Sequence, residues 1–207
     1  MDRDTLWGHI DRERARLAGV LDVLTEDQWR TPSMCSGWTV RDVGAHLTMA
    51  QSRLRDVWRP MVRARFDYNT MVRESALALP IATAEIGPTL RGFVGSRRTA
   101  PFISDREPLI DILVHSQDIC VPLGIDHPMP ADAAVEAVDR MVVLNRIKPI
   151  RLRPPLRGVR LVATDAEWST GDGTTVTGPM TALVMLLAGR DSVALPRLQG
   201  DLAALAA

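Results

Sequence analysis

The chain has 207 residues, of which 46% are hydrophobic, with 25 basic and 25 acidic side chains. That length and apolar content fit one large domain, or one domain with a small appendage, around a real core. The balanced charge lacks the basic field that collects phosphates, so nucleic acid is excluded as an expected partner, and two cysteines are too few for a disulfide framework, which points to a reducing, cytoplasmic setting.

The first twenty residues carry no apolar signal core, and residues 3–24 read as an amphipathic helix with Leu6, Ile10, Leu17, Leu21 and Leu24 at helical spacing. The Pro, Ser and Gly content of residues 31–37 marks a loop. Behind it, Thr39 and Asp42 form a near capping box, with Trp38 and Val43 at the positions of a hydrophobic staple. The helix that starts there is expected to run past His46 and Ala50 toward Trp58, with Pro60 as its limit. Residues 61–79 read as a more mixed helix, 81–95 as a helix broken at Gly87-Pro88, 109–121 as an apolar helix closed by Pro122, and 131–145 as a further amphipathic helix.

The Pro- and Arg-rich run at 148–158 cannot be helical throughout and sets an expected boundary, with a helical domain over 1–148 and a small α+β domain over 149–207. In the latter, strands at 159–164 and 174–177 are expected to join through a hairpin turn at Gly171-Asp172-Gly173, and Pro179 opens a helix to 188. The apolar stretch 182–188 is far short of the roughly 20 residues that cross a bilayer, so no membrane association is expected.

Of the four histidines, His9 lies in a charged helix and His127 in a Pro-bounded loop, and both read as surface residues. His115 differs. Asp111, His115 and Asp118 stand at i, i+4 and i+7, within about 60° of arc on a helix whose other residues are largely apolar. Buried carboxylates and imidazoles need partners. A divalent cation such as zinc supplies one, because i, i+4 spacing brings two ligands to a single ion, and His46 on another helix is the candidate third ligand. A neutral core histidine hydrogen-bonded to Asp111 or Asp118 explains the same stripe without a metal. Cys35, beside a helix N-terminus, reads as a free, partly buried thiol or as one with a lowered pKa. No Gly-x-Ser-x-Gly elbow and no Gly-rich phosphate loop occurs.

The run Cys35-Ser36-Gly37-Trp38-Thr39-Val40-Arg41-Asp42-Val43-Gly44-Ala45-His46-Leu47 closely resembles the signature of the mycothiol-dependent maleylpyruvate isomerase family. Asp111 through Ile119 resembles that family's second metal motif, Phe66-Asp67-Tyr68-Asn69 is similar to its Asp-Arg-x-Asn stretch, and the tail through Trp168, Gly178-Pro179 and Gly200-Asp201 looks like its small C-terminal domain. The resemblance implies a mainly α chain, a DinB-like four-helix bundle followed by a small α+β domain. It also implies a divalent metal, zinc or another, held by His46, Asp111 and His115, with aspartate where the family has glutamate. An open coordination position would take mycothiol, whose thiolate attacks a small electrophile in isomerase or S-transferase chemistry. Asp118 would then fix a ligating imidazole and Asn69 would orient substrate, while Arg151 and Arg153 are candidates for holding carboxylates of the thiol or substrate. A zinc-water hydrolase and a non-catalytic or regulatory metal-binding bundle are the alternatives, and monomer and homodimer are both open.

Overall fold

A computed structural model of the chain describes residues 1–100, 103–147 and 152–206. It divides into two compact units, Met1–His127 and Pro128–Ala207. The division precedes the Pro- and Arg-rich run, because the helix at Ala131–Leu144 packs within the second unit. No helix among the described residues is long and apolar enough to cross a membrane.

The first unit is a helical bundle. Helix α1 (Arg3–Leu21) starts on Asp2, whose carboxylate accepts from the Thr5 amide, and α2 (Glu26–Arg30) is a single capped turn. Helix α3 (Val40–Leu47), α4 (Leu54–Arg63), α5 (Tyr68–Ala78), α6 (Thr83–Arg91) and α7 (Glu107–Cys120) follow. Contacts run from α1 to α6, from α6 to α3, from α3 to α7 and from α7 back to α1, which closes a four-helix ring. Its interior is filled by Trp7, Ile10 and Leu17 from α1, Val43 and Leu47 from α3, Ile86 and Leu90 from α6, and Leu109, Leu113 and Ile119 from α7. Each such side chain contributes roughly 1.5–3 kcal/mol of hydrophobic burial.

Three local expectations change in this unit. The helix begun at Thr39 ends at Leu47 instead of running toward Trp58. Hydroxyl groups compete for its carbonyls there: Thr48 Oγ1 donates to the Ala45 carbonyl at 2.7 Å, and Ser52 Oγ to that of Met49 at 2.7 Å. Pro60 lies inside the separate helix α4 and does not limit a longer one. Helix α6 also passes unbroken through Gly87-Pro88. The glycine is there for close approach to α1, since a Cβ at position 87 would sit 2.2 Å from Asp22 Oδ1 and 3.2 Å from the Ala18 carbonyl.

The second unit holds α8 (Ala131–Leu144), a four-stranded sheet and the apolar helix α9 (Met180–Leu187), followed by a short α10 (Asp191–Ala194). The sheet order is β2-β1-β3-β4, from β1 (Val159–Ala163), β2 (Ser169–Gly171), β3 (Thr174–Gly178) and β4 (Gln199–Gly200). Strands β1 and β3 run parallel, with β2 on the outer side of β1, so Gly171-Asp172-Gly173 is not a hairpin turn. It crosses the start of β1. Both glycines have positive φ, at +78° and +110°, and a Cβ on either would meet the Val159 or Gly158 carbonyl oxygen at 2.2 or 2.3 Å. Buried Asn145 joins this unit's helices to the Pro- and Arg-rich run: its Nδ2 donates to the Leu187 carbonyl, and its Oδ1 accepts from the Leu152 and Arg153 amides.

Candidate metal centre

The site is built on α3 and α7, neighbours in the bundle. At the start of α3 the expected capping box is present, with the Asp42 amide donating to Thr39 Oγ1 and the Thr39 amide to Asp42 Oδ2 at 2.9 Å. Arg41 ties the same turn to the α5–α6 connection, its Nη2 donating to the Leu79 and Ile81 carbonyls at 2.6 and 3.0 Å. His46 sits two turns on and is thereby aimed from a fixed base. Helix α7 is held by its apolar surround: Leu109, Ile110, Ile112, Leu113, Val114 and Ile119 are all buried.

His46, Asp111 and His115 come together. His46 Nε2 lies 3.1 Å, and His115 Nε2 3.4 Å, from the same oxygen, Oδ1 of Asp111. The two imidazoles meet edge to face, with ring centroids 4.9 Å apart, and the Trp38 ring lies 5.5 Å from that of His46. The other nitrogen of His115, Nδ1, is 2.8 Å from Oδ2 of Asp118, which is completely enclosed. His46 Nδ1 is buried with no hydrogen-bond partner among the described residues, so packing against Trp38 and His115 sets this ring's orientation.

The electrostatics favour a positive charge at this spot. Burial opposes ionisation of Asp111, yet the charge of His46 and hydrogen bonds from both imidazoles outweigh it and hold the carboxyl well below the usual carboxylate range. Burial likewise pulls His115 down, but its bonds to Asp111, Asp118 and Cys35 raise it well above the ordinary histidine value. A divalent cation answers the same demand. The donor set fits one: two imidazole nitrogens and a carboxylate oxygen, all within 4.8 Å of one another. For tetrahedral zinc with bonds of 2.0–2.1 Å, neighbouring ligand atoms stand about 3.3 Å apart, and the spacings here are 3.1 and 3.4 Å.

Asn69 is exposed in the first turn of α5. Arg153 belongs to the second unit, where its guanidinium pairs with Asp191 and donates to the Leu186 and Leu205 carbonyls, while Arg151 lies outside the described residues. His9 and His127 are buried, contrary to the surface placement expected of them. Glu13 explains His127: its Oε2, buried in the bundle, accepts from His127 Nε2 at 3.2 Å and from Arg16 Nη2 at 2.7 Å. His9 is capped from its own helix by Arg12, 3.0 Å from Nδ1.

Two groups near the site escaped the sequence reading. Cys35 Sγ donates to Asp118 Oδ2 at 3.1 Å, on the far side of His115 from Asp111. The Tyr68 phenol is raised by burial and by the charges of Asp111 and Glu107, which places it in the field of the centre. Neither has a periodic signal. The one clue was the closed Pro32–Thr39 loop, which folds Cys35 toward a helix far away in sequence.

Residues 10–85 match the family model described as the mycothiol maleylpyruvate isomerase N-terminal domain. No curated protein matches the chain. Among solved structures, the chain resembles that of a histidine-to-alanine mutant of the mycothiol-dependent maleylpyruvate isomerase, at 12% identity and a TM-score of 0.63 over 97% of this chain and 93% of that one. The structure titled simply as the mycothiol-dependent maleylpyruvate isomerase matches over the same shares, at 12% identity and a TM-score of 0.55. These likenesses show the fold across both units, α7 and the C-terminal sheet included. Residues 10–85 are thus similar to the N-terminal domain of the mycothiol maleylpyruvate isomerase family, and the chain shares the fold of the solved isomerase.

Proposed function

We propose that this protein is a thiol-dependent metalloenzyme of isomerase or S-transferase type, with His46, Asp111 and His115 holding one divalent metal, zinc by its chemistry. The observation that carries this is the convergence of both Nε2 atoms on a single Asp111 oxygen at tetrahedral edge distances. The match of residues 10–85 to that family's N-terminal domain supports mycothiol as the thiol and a small electrophile as the substrate.

When bound, such a metal supplies a Lewis acid that lowers the pKa of a coordinated small thiol and leaves a position open for it. The chain's own residues do the rest. Asp118 accepts the Nδ1 proton of His115 and orients the ring so that Nε2 would face a bound metal. Trp38 covers the His46 face and limits water there. Tyr68, a protonated phenol in the field of Asp111, is a proton donor for a developing enolate or carboxylate, and Asn69 beside it orients the substrate.

The test is elemental analysis of purified protein, followed by calorimetric titration of the zinc-loaded form with mycothiol. One equivalent of metal, mycothiol binding, and loss of both in His46→Ala support the proposal. Stoichiometric zinc without thiol affinity would sink the thiol chemistry. Turnover of ester or amide substrates without any thiol would point to a zinc-water hydrolase instead.

A further inference from the structure

We propose that Cys35 is a positioning residue for the ligand His115, acting through Asp118. This rests on the metal centre proposed above and adds a residue to it. Asp118 is fully enclosed, so its carboxylate needs donors from the protein. Its Oδ2 receives two: the Nδ1–H of His115 at 2.8 Å and the thiol of Cys35 at 3.1 Å. The three atoms form a compact triangle, with Cys35 Sγ 3.7 Å from His115 Nδ1. Cys35 therefore stands on the side of the imidazole opposite Asp111 and His46, where it meets the ligand's supporting carboxylate.

The loop is built to keep it there. The Met34 amide donates to the Asp118 backbone carbonyl at 3.1 Å, which staples the loop to α7 at the residue in question. Ser33 Oγ accepts from the Cys35 amide at 3.1 Å while donating to the Trp38 carbonyl at 2.9 Å. The Trp38 amide in turn donates to the Cys35 carbonyl at 3.0 Å. With its backbone tied on both sides, the thiol has a defined direction. A second donor on Oδ2 holds the carboxylate in the plane where it accepts from Nδ1, and so fixes the ring orientation that aims Nε2 at Asp111 and the centre. Without the thiol, Oδ2 loses one of these two donors, and His115 loses part of its orientation without losing a ligand atom.

Outer partners of metal ligands are worth about 10–100-fold in affinity, and a group one hydrogen bond further out should fall at the low end, about tenfold. The experiment measures zinc affinity by competition with a chromophoric chelator, together with the ¹⁵N–¹H imidazole spectrum of His115 in the metal-free protein, where the Nδ1–H proton reports the bond to Asp118. Cys35→Val, close in volume but without a donor, should bind zinc about tenfold more weakly and lose the sharp, slowly exchanging Nδ1–H resonance of His115, whereas Cys35→Ser should restore both to within about threefold. Zinc affinity and spectrum unchanged in Cys35→Val, or Cys35→Ser as impaired as Cys35→Val, would overturn the positioning role. If the wild-type protein itself binds no zinc, the metal centre fails, and the His115 spectrum alone still decides whether Cys35 holds the bond between His115 and Asp118.

Discussion

Raising the pH above 9 should weaken the helix that carries the site, through the thiol of Cys120. This residue closes α7 and is wholly enclosed. Burial pushes its thiol from 9.0 up to about 11; the Arg16 charge pulls it back and that of Glu13 adds to the rise. The folded value exceeds the unfolded one, so the unfolded chain gives up this proton first. The stabilisation is complete below pH 9 and drains as pH rises toward 11. A gap of two units is worth about 2.7 kcal/mol in full, and about 2 kcal/mol has gone by roughly pH 10.5. Urea unfolding of the wild type and Cys120→Ala at pH 8 and at about pH 10.5 isolates the effect, because every other titrating group is common to both. Cys120→Ala should start lower by roughly 1 kcal/mol for the lost packing, and then lose about 2 kcal/mol less on going alkaline. Parallel losses in the two proteins would refute the reasoning.

Two further outcomes follow from buried chemistry and from a tight turn. Glu13→Ala leaves His127 and Arg16 without the oxygen they share, and should cost about 1–3 kcal/mol in urea unfolding, as loss of one partner from a buried hydrogen bond does; a loss below about 0.5 kcal/mol would show that the carboxylate is dispensable. Gly171→Ala brings a Cβ within 2.2 Å of the Val159 carbonyl oxygen at a φ of +78°, and should lower protection of the β1 and β3 amides to hydrogen exchange by about 2–3 kcal/mol. Wild-type protection in that variant would contradict the crossing over β1.

The parts of this protein that could be read from sequence are those encoded within one helix. Thr39 and Asp42 announce the start of α3, and the i, i+4, i+7 spacing of Asp111, His115 and Asp118 puts them on one side of α7; both are local geometry. Convergence of His46 on Asp111 needed the family resemblance, because periodicity treats each helix alone. What escaped is tertiary. His127 lies far from Glu13 in the chain, so a Pro-bounded loop gave no sign that its imidazole fills a bundle interior. Cys35 and Asp118 are likewise joined by a loop folding back, which leaves no mark in hydrophobic pattern. Gly87-Pro88 looked like a break because propensity discounts close packing, where the missing side chain is the point of the residue. Gly171-Asp172-Gly173 has hairpin composition, and only the parallel pairing of β1 with β3 turns it into a crossing.

Aspartate at position 111, where the resemblance places glutamate, need not mark a weakened centre. A shorter arm would be a defect if its oxygen fell short of the two imidazoles. Here Oδ1 already stands 3.1 Å from one Nε2 and 3.4 Å from the other, at the edge length of a tetrahedral zinc site. The approach of α3 to α7 thus matches the aspartate. A glutamate at this position would have to fold one extra methylene between the helix backbone and the two rings, forcing an unfavourable rotamer or tilting His46. Asp111→Glu should therefore bind zinc no more tightly than the wild type, and about 3–10-fold more weakly for a strain of roughly 1 kcal/mol. Competition with a chromophoric chelator measures this directly. Tighter binding by the glutamate variant would mean that the aspartate is a compromise, and that the helix spacing is set by something other than the metal.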